Sequence, residues 1–153
     1  MKSSVVSFIL GALLLVPAAA LPADSTPAVQ ADPVLEQASK AIASKDWAQA
    51  QGILRTGVAG NPGNADYHNL YAYTIRKGAN PDMNLVFKHY NEALRLDPKH
   101  RGAHEYIGEA YLMVGNLPKA KEHLSSLDRL CFFPCSEFTD LKKSIAAYEA
   151  KPK

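Results

Sequence analysis

Residues 101–130, RGAHEYIGEAYLMVGNLPKAKEHLSSLDRL, decide how this chain folds. With Arg101 as position 1, Ile107 and Gly108 fall at 7 and 8, Tyr111 at 11 and Gly115 at 15. Ala120 then falls at 20, Leu124 at 24 and Leu127 at 27. The apolar residues recur at helical spacing in two blocks, so the stretch predicts two amphipathic helices. The small residues Gly108 and Ala120 allow antiparallel helices to approach closely, and Ile107, Tyr111, Leu124 and Leu127 fill the space between them. Gly115-Asn116 makes the turn. Pro118 sits in the first turn of the second helix, where a missing N–H costs little.

The same pattern recurs upstream. With Asn64 as position 1, Tyr67 falls at 4, Leu70 at 7 and Gly78 at 15. Read back from Leu96-Asp97-Pro98, its second helix places Ala93 at 27, Tyr90 at 24 and Val86 at 20. The two halves differ by three residues, so an insertion is expected in the turn Gly78-Ala79-Asn80-Pro81-Asp82, with Asn80 as N-cap and Pro81 as first helical residue. Tyr71 then stands at position 8 and predicts looser packing there. A third copy spans about 31–63. Asp46 caps its second helix, and Ala50, Leu54 and Pro62 fall at 20, 24 and 32. Gly57 at position 27 weakens that helix. Beyond the repeats, Phe138, Leu141, Ile145 and Tyr148 share one face of a final helix, 136–150, with Ser136 as its expected cap.

A pattern repeating at about this period marks a stacked array rather than a closed domain. The chain resembles the tetratricopeptide repeat family over residues 31–150, most strongly over 64–130. Position 4, often Trp in that family, is His104 here, and position 32, often Pro, is Phe132. The resemblance implies an all-α, right-handed array of three helical hairpins (31–63, 64–100, 101–134) closed by a capping helix, 136–150. It also implies that the first helix of each hairpin lines a concave groove. Carried over position by position, the groove residues are His68, Ala72, Ile75 and Arg76 in the second repeat, and Glu105, Glu109, Leu112 and Met113 in the third. That mixture suits an extended or helical peptide of mixed charge. It lacks the Lys/Arg clamp that some members use for a C-terminal carboxylate.

The N-terminus reads differently. Lys2, the apolar run Val5–Val16 and Ala18-Ala19-Ala20 have the layout of a secretory signal peptide, 1–20. Its core is short of the ~20 residues that span a bilayer. Cleavage after Ala20 or Ala23 is expected. With no Cys near the cut, a lipid anchor of the bacterial lipoprotein kind is not expected. Residues 21–33, with three prolines, read as a flexible leader before the repeat domain, 34–150. The expected location is therefore periplasmic or secreted, in a bacterium. The whole chain has 17 Lys+Arg against 15 Asp+Glu. Near-neutrality, with Lys2 removed in the mature chain, gives no electrostatic case for nucleic acid or an acidic membrane.

Cys131 and Cys135 stand in CFFPC. In an exported protein two cysteines usually pair, and a turn at Pro134 brings their Cα atoms within bridging range. A redox pair and a thiolate metal site are the alternatives. The usual redox spacing is C-x-x-C, one residue shorter. His100, His104 and His123, with Met113 nearby, could in principle hold a soft ion. Solvated or packing roles are the simpler reading, and His68 and His89 read as helix-surface residues. No nucleophile elbow, phosphate-binding Gly loop or H-E-x-x-H motif is present, so neither catalysis nor a cofactor is expected. The leading expectation is a protein-binding scaffold or assembly factor. The second is a metal- or thiol-handling protein built on Cys131 and Cys135. A homo-oligomer pairing through Tyr-rich helix faces is a further possibility.

Overall fold

A computed structural model describes residues 31–133 and 135–152. The expected signal segment, 1–20, and nearly all of the leader lie outside them. Seven helices and no strand occur among the described residues. They are α1 (Pro33–Ala43), α2 (Trp47–Gly60), α3 (Ala65–Lys77), α4 (Met83–Leu96), α5 (Arg101–Met113), α6 (Leu117–Leu130) and α7 (Ser136–Glu149). α1–α2, α3–α4 and α5–α6 are hairpins stacked in chain order, and α7 lies across α5 and α6.

Local chemistry sets each start. Asp32, Asp46, Asn64, Asp82 and Asn116 each accept backbone N–H bonds from the first turn that follows. These satisfy donors that would otherwise be orphaned. His100 caps α5 in the same way: its Nδ1 accepts from the Ala103 amide at 3.2 Å. Two caps differ from expectation. α4 begins at Met83 behind Asp82, not at Pro81 behind Asn80. Cys135 occupies the N-cap of α7 without a side-chain bond, and Ser136 Oγ donates to Glu137 instead. The tight turns after α1 and α5 share one backbone plan. Asp46 N–H donates to the Ala41 carbonyl, and Asn116 N–H donates to the Tyr111 carbonyl. Both turns need a left-handed residue, which is Gly115 at φ 76° in one and Lys45 at φ 60° in the other. Glycine accepts that conformation without steric cost and lysine does not.

The core runs along the stack. Leu54, Val86, Tyr90 and Ile107 are fully buried in one continuous cluster. Leu127, Leu141, Ile145 and Leu112 form a second, under α7. Burying Leu141 and Ile145 stabilises the docking of α7 by roughly 3–6 kcal/mol at 1.5–3 kcal/mol per side chain.

Matching helix starts corrects the register of the second repeat. Asn64 and His100 are both N-caps of 13-residue helices. Position 1 is therefore Ala65, not Asn64. The insertion before α4 is two residues rather than three. Ala72, fully buried, now stands at the small position 8. Gly57 also reads differently. A Cβ there would lie 2.8 Å from Val34 Cγ1 and 3.2 Å from the Tyr67 ring. The glycine is a close-approach point between α2 and its neighbours, and α2 continues through it. Gly108 serves a related purpose: its missing side chain makes room for Leu141 of α7, whose Cδ2 would sit 2.6 Å from a Cβ. The nearest approach there is to the capping helix.

Gly108→Val forces the fully buried Leu141 out of its seat. The expected cost is about 1–3 kcal/mol from overpacking. The thermal midpoint should fall, with faster amide exchange concentrated in residues 136–149. Unchanged exchange in that segment would show that α7 does not depend on this contact.

Candidate functional site

The concave side of α3, α5 and α7 forms an open groove of about 480 Å³. Its floor is built around Arg76. This side chain is only 8% exposed. Its Nη2 donates to Glu109 Oε2 at 2.7 Å, and its Nε donates to the Tyr90 hydroxyl at 3.3 Å. Ser144 Oγ of α7 donates to the other Glu109 oxygen at 3.1 Å. The guanidinium carbon lies 5.5 Å and 5.8 Å from the centroids of Tyr73 and Tyr106, within cation–π range. Those two rings are 4.8 Å apart. Trp47 meets Tyr73 edge-on at 6.0 Å, and Lys77 lies over both. An aromatic ladder therefore runs from the first hairpin to the third.

Charged groups without such fixed partners form the rim: Lys77, Glu105, Asp140 and Lys143. Burial, followed by repulsion from Glu109, Asp140 and Glu137, pushes the Glu105 carboxyl up to about 7. Burial likewise pushes the Tyr106 phenol up to about 12.

Of the residues expected from the repeat pattern, Arg76, Glu105 and Glu109 line this groove. It does not hold the other expected residues. Ala72 and Ile75 are core. Leu112 is buried beneath α7. Met113 is exposed and does not line the groove. The one-residue register slip explains the errors in the second repeat, because counting from Ala65 moves positions 9, 12 and 13 to Tyr73, Arg76 and Lys77. Tyr73, Lys77 and Tyr106 are the groove residues that sequence reasoning missed. Asn64 as a helix cap was the available signal for the first two.

His68 is also outside the groove, and neither it nor His89 is a surface residue. Both are buried. His68 Nε2 lies 3.0 Å from the Pro62 carbonyl, and its Nδ1 lies 2.8 Å from His89 Nδ1. His104 repeats this arrangement with the Pro98 carbonyl at 3.1 Å and His123 Nδ1 at 3.0 Å. A carbonyl only accepts, so His68 and His104 carry their proton on Nε2. Their Nδ1 atoms then accept from the Nδ1–H of His89 and His123. Burial holds the His104 imidazole below its ordinary value, and a further proton there would also set two N–H groups head to head. Burial, with the facing imidazole as second cause, holds His89 and His123 down at about 4. The spacing was visible in the sequence: Pro62 and Pro98 each precede their histidine by six residues, and His89 and His123 are one repeat apart.

His100, caught between the Ala103 amide and Asp66 at 3.1 Å, does not join His104 and His123. Among the described residues no three His, Cys, Asp or Glu side chains converge as a metal-binding set. Cys131 and Cys135 are bridged, with Cα atoms 5.8 Å apart. No described helix is long and apolar enough to cross a membrane.

The fold is that of tetratricopeptide-type repeat proteins. The type III secretion translocator chaperone SycD of Yersinia enterocolitica superposes with a TM-score of 0.66 at 14% identity, covering 76% of this chain and 81% of that one. PcrH, in complex with the chaperone-binding region of PopD, gives 0.63 at 15% identity, covering 76% and 86%. The second TPR domain of human RPAP3, in complex with the HSP70 peptide SGPTIEEVD, gives 0.62 at 20% identity, covering 72% and 91%. No family model matches the chain, and no curated protein matches it in sequence.

Two outcomes follow. Arg76→Met keeps much of the aliphatic packing but strands Glu109. Breaking a buried pair costs several kcal/mol; with Glu109 26% exposed, the loss expected in denaturant unfolding is roughly 2–3 kcal/mol. The second outcome concerns pH. His89 and His123 bind fewer protons folded, at about 4, than unfolded, near 6.5. Their contribution is therefore complete above the unfolded value and is lost as pH falls toward 4. Glu105 acts oppositely over about 4.5 to 7, since its folded carboxyl holds the proton longer. Replacing both histidines by Asn keeps a donor near the Nδ1 position without a titrating ring. Between pH 6.5 and 4.5 the thermal midpoint of the wild type should fall further than that of the double variant. Parallel curves would remove the histidines from the acid response.

Proposed function

We propose that this protein is a non-catalytic peptide-binding module that holds a segment of another protein across the Tyr73–Tyr106 pair, as a scaffold or assembly factor. The carrying observation is the contrast between floor and rim. Arg76 and Glu109 are spent on each other, which presents two aromatic faces on a rigid support. Lys77, Lys143, Asp140 and Glu105 surround them with both signs of charge. Aromatic platforms offer large contact area at low entropic cost, and rim charges select among ligands. Three proteins of this fold were captured with peptides or protein segments: PcrH with the chaperone-binding region of PopD, SycD with a peptide of YopD and RPAP3 with an HSP70 peptide. Their likeness in fold supports the same use of the concave face here, as an analogy.

The proposed location is the periplasm or the cell exterior of a bacterium. It rests on the signal-like residues 1–20 and on the Cys131–Cys135 bridge, which belongs to oxidising compartments. The metal- or thiol-handling alternative has no comparable support, because the cysteines are joined and four of the five histidines are paired with each other.

Capture from the native envelope tests the proposal, comparing wild type with Tyr73→Ser, Lys77→Glu. These side chains are half-buried and exposed, so the fold should survive, as circular dichroism would verify. Affinity for a captured partner should fall at least about tenfold, equivalent to about 1.4 kcal/mol. If the captured segment is acidic, binding should be tighter at pH 6 than at pH 8, because Glu105 is largely neutral at the lower pH. Capture unaffected by the double variant would place the binding face elsewhere.

A further inference from the structure

The two ends of the array differ in a way that the groove does not explain. At the end of α6, Phe132 is 94% exposed and Phe133 is 76% exposed. Their rings meet edge to face at 5.0 Å, on a loop closed by the Cys131–Cys135 bridge. Large apolar side chains displayed together on a constrained loop signify an anchor, since little ordering entropy remains to be lost on docking.

The first hairpin carries the opposite feature. An open pocket of about 440 Å³ lies between α1, α2 and α3, with Val34, Ile53, Gly57, Gly60 and Tyr67 among its walls. Its origin is visible in the repeat register. The C-caps of α2, α4 and α6 are Asn61, Asp97 and Cys131. Eight residues before each stand Ile53, His89 and His123. The matching positions on the partner helices are Val34, His68 and His104. In the second and third repeats this space is filled by two imidazoles in contact, with ring centroids 5.0 Å and 5.2 Å apart. In the first repeat the same space has two aliphatic side chains and two glycines. It lacks two rings, and the other end of the molecule presents two rings. Charge is compatible: exposed Asp128 borders Phe132, and exposed Arg55 stands on α2, next in sequence to the pocket residue Thr56. Neither makes an ion pair among the described residues.

We infer that copies of this chain associate end to end, the Phe132–Phe133 loop of one seated in the α1–α2–α3 pocket of the next. Such a contact uses different surfaces on its two partners, so it does not close as a dimer but extends. It leaves the groove open and is independent of what the groove binds.

Sedimentation of the full chain from micromolar to near-millimolar concentration tests this. The mass of the wild type should rise steadily past that of a dimer. Phe132→Ser, Phe133→Ser removes the anchor, and Thr56→Arg, at an exposed position, obstructs the pocket; each should remain monomeric with an unchanged circular dichroism spectrum. An equimolar mixture of the two should form a dimer and nothing larger, because each supplies one working end. Lys77→Glu, in the groove, should associate like wild type. A wild type that stays monomeric, a mass that stops at dimer, or variants that associate normally would overturn the inference. A photo-cross-linking residue at position 53 identifies the occupant directly. Linkage to 131–135 of another copy supports the inference, whereas linkage to residues 1–30 of the same chain refutes it.

Discussion

One buried guanidinium holds the second and third repeats and the cap to each other. Arg76 stands on α3, receives its hydrogen-bond partners from Tyr90 on α4 and Glu109 on α5, and through Glu109 reaches Ser144 on α7. A charge so deeply placed is tolerable only when its donors find acceptors. The positions of four helices are therefore coupled to a single set of polar contacts. Leu54, Tyr90 and Ile107 supply the apolar bulk nearby, but apolar contact alone would tolerate small slides of one hairpin along the next. The ion pair fixes the register that the bulk leaves loose. It also explains why Tyr73 and Tyr106 face the groove with so little freedom: both pack on the same guanidinium.

The architecture was legible because its signals are local and redundant. Helix, turn, small residue and cap recur in every repeat, so the three hairpins and the last helix follow from periodicity. In the second repeat the groove was less legible for one identifiable reason. Leu70 and Tyr71 are both large and apolar, so either fits position 7, and the apolar pattern alone does not separate the two registers. The cap does separate them, because Asn64 must lie outside the helix it starts. With the wrong choice, Ala72 and Ile75 appear to face the groove while Tyr73 and Lys77 disappear from it. A one-residue slip on a helix is a 100° rotation, enough to exchange core and rim. In the third repeat, where Gly108 fixes the count, Glu105 and Glu109 line the groove. Leu112 was lost for a different reason: α7 covers it, and no feature of α5 records where another helix will lie.

The histidines show the same limit from the other side. Each of His68, His89, His104 and His123 looks like an ordinary polar residue on a helix. Their meaning lies in pairs, and a pair between two helices is invisible until the helices are in register. Once it is set, hydrogen-bond bookkeeping dictates the protonation state. Pro62 and Pro98 offer carbonyls that demand donors, which assigns one nitrogen of each ring and leaves the other to accept. The first repeat, with Val34 and Ile53 in the same places, avoids the problem and accepts a hollow instead.

Acid therefore acts on two regions with opposite sign. Protonation relieves the groove, where Glu105 crowds Glu109 and the acids of α7, and it strains the seam between paired helices, where burial disfavours a charge on His89 and His123. The groove wall and the scaffold behind it thus titrate separately. Since Arg76 and Glu109 are committed to the scaffold, the remaining charge along the groove falls to Lys77, Glu105, Asp140 and Lys143. Burial and the neighbouring acids raise the Glu105 carboxyl to about 7. A change of charge can then arise at the rim without touching the network that sets the fold, whereas any change at the floor must be absorbed by four helices at once.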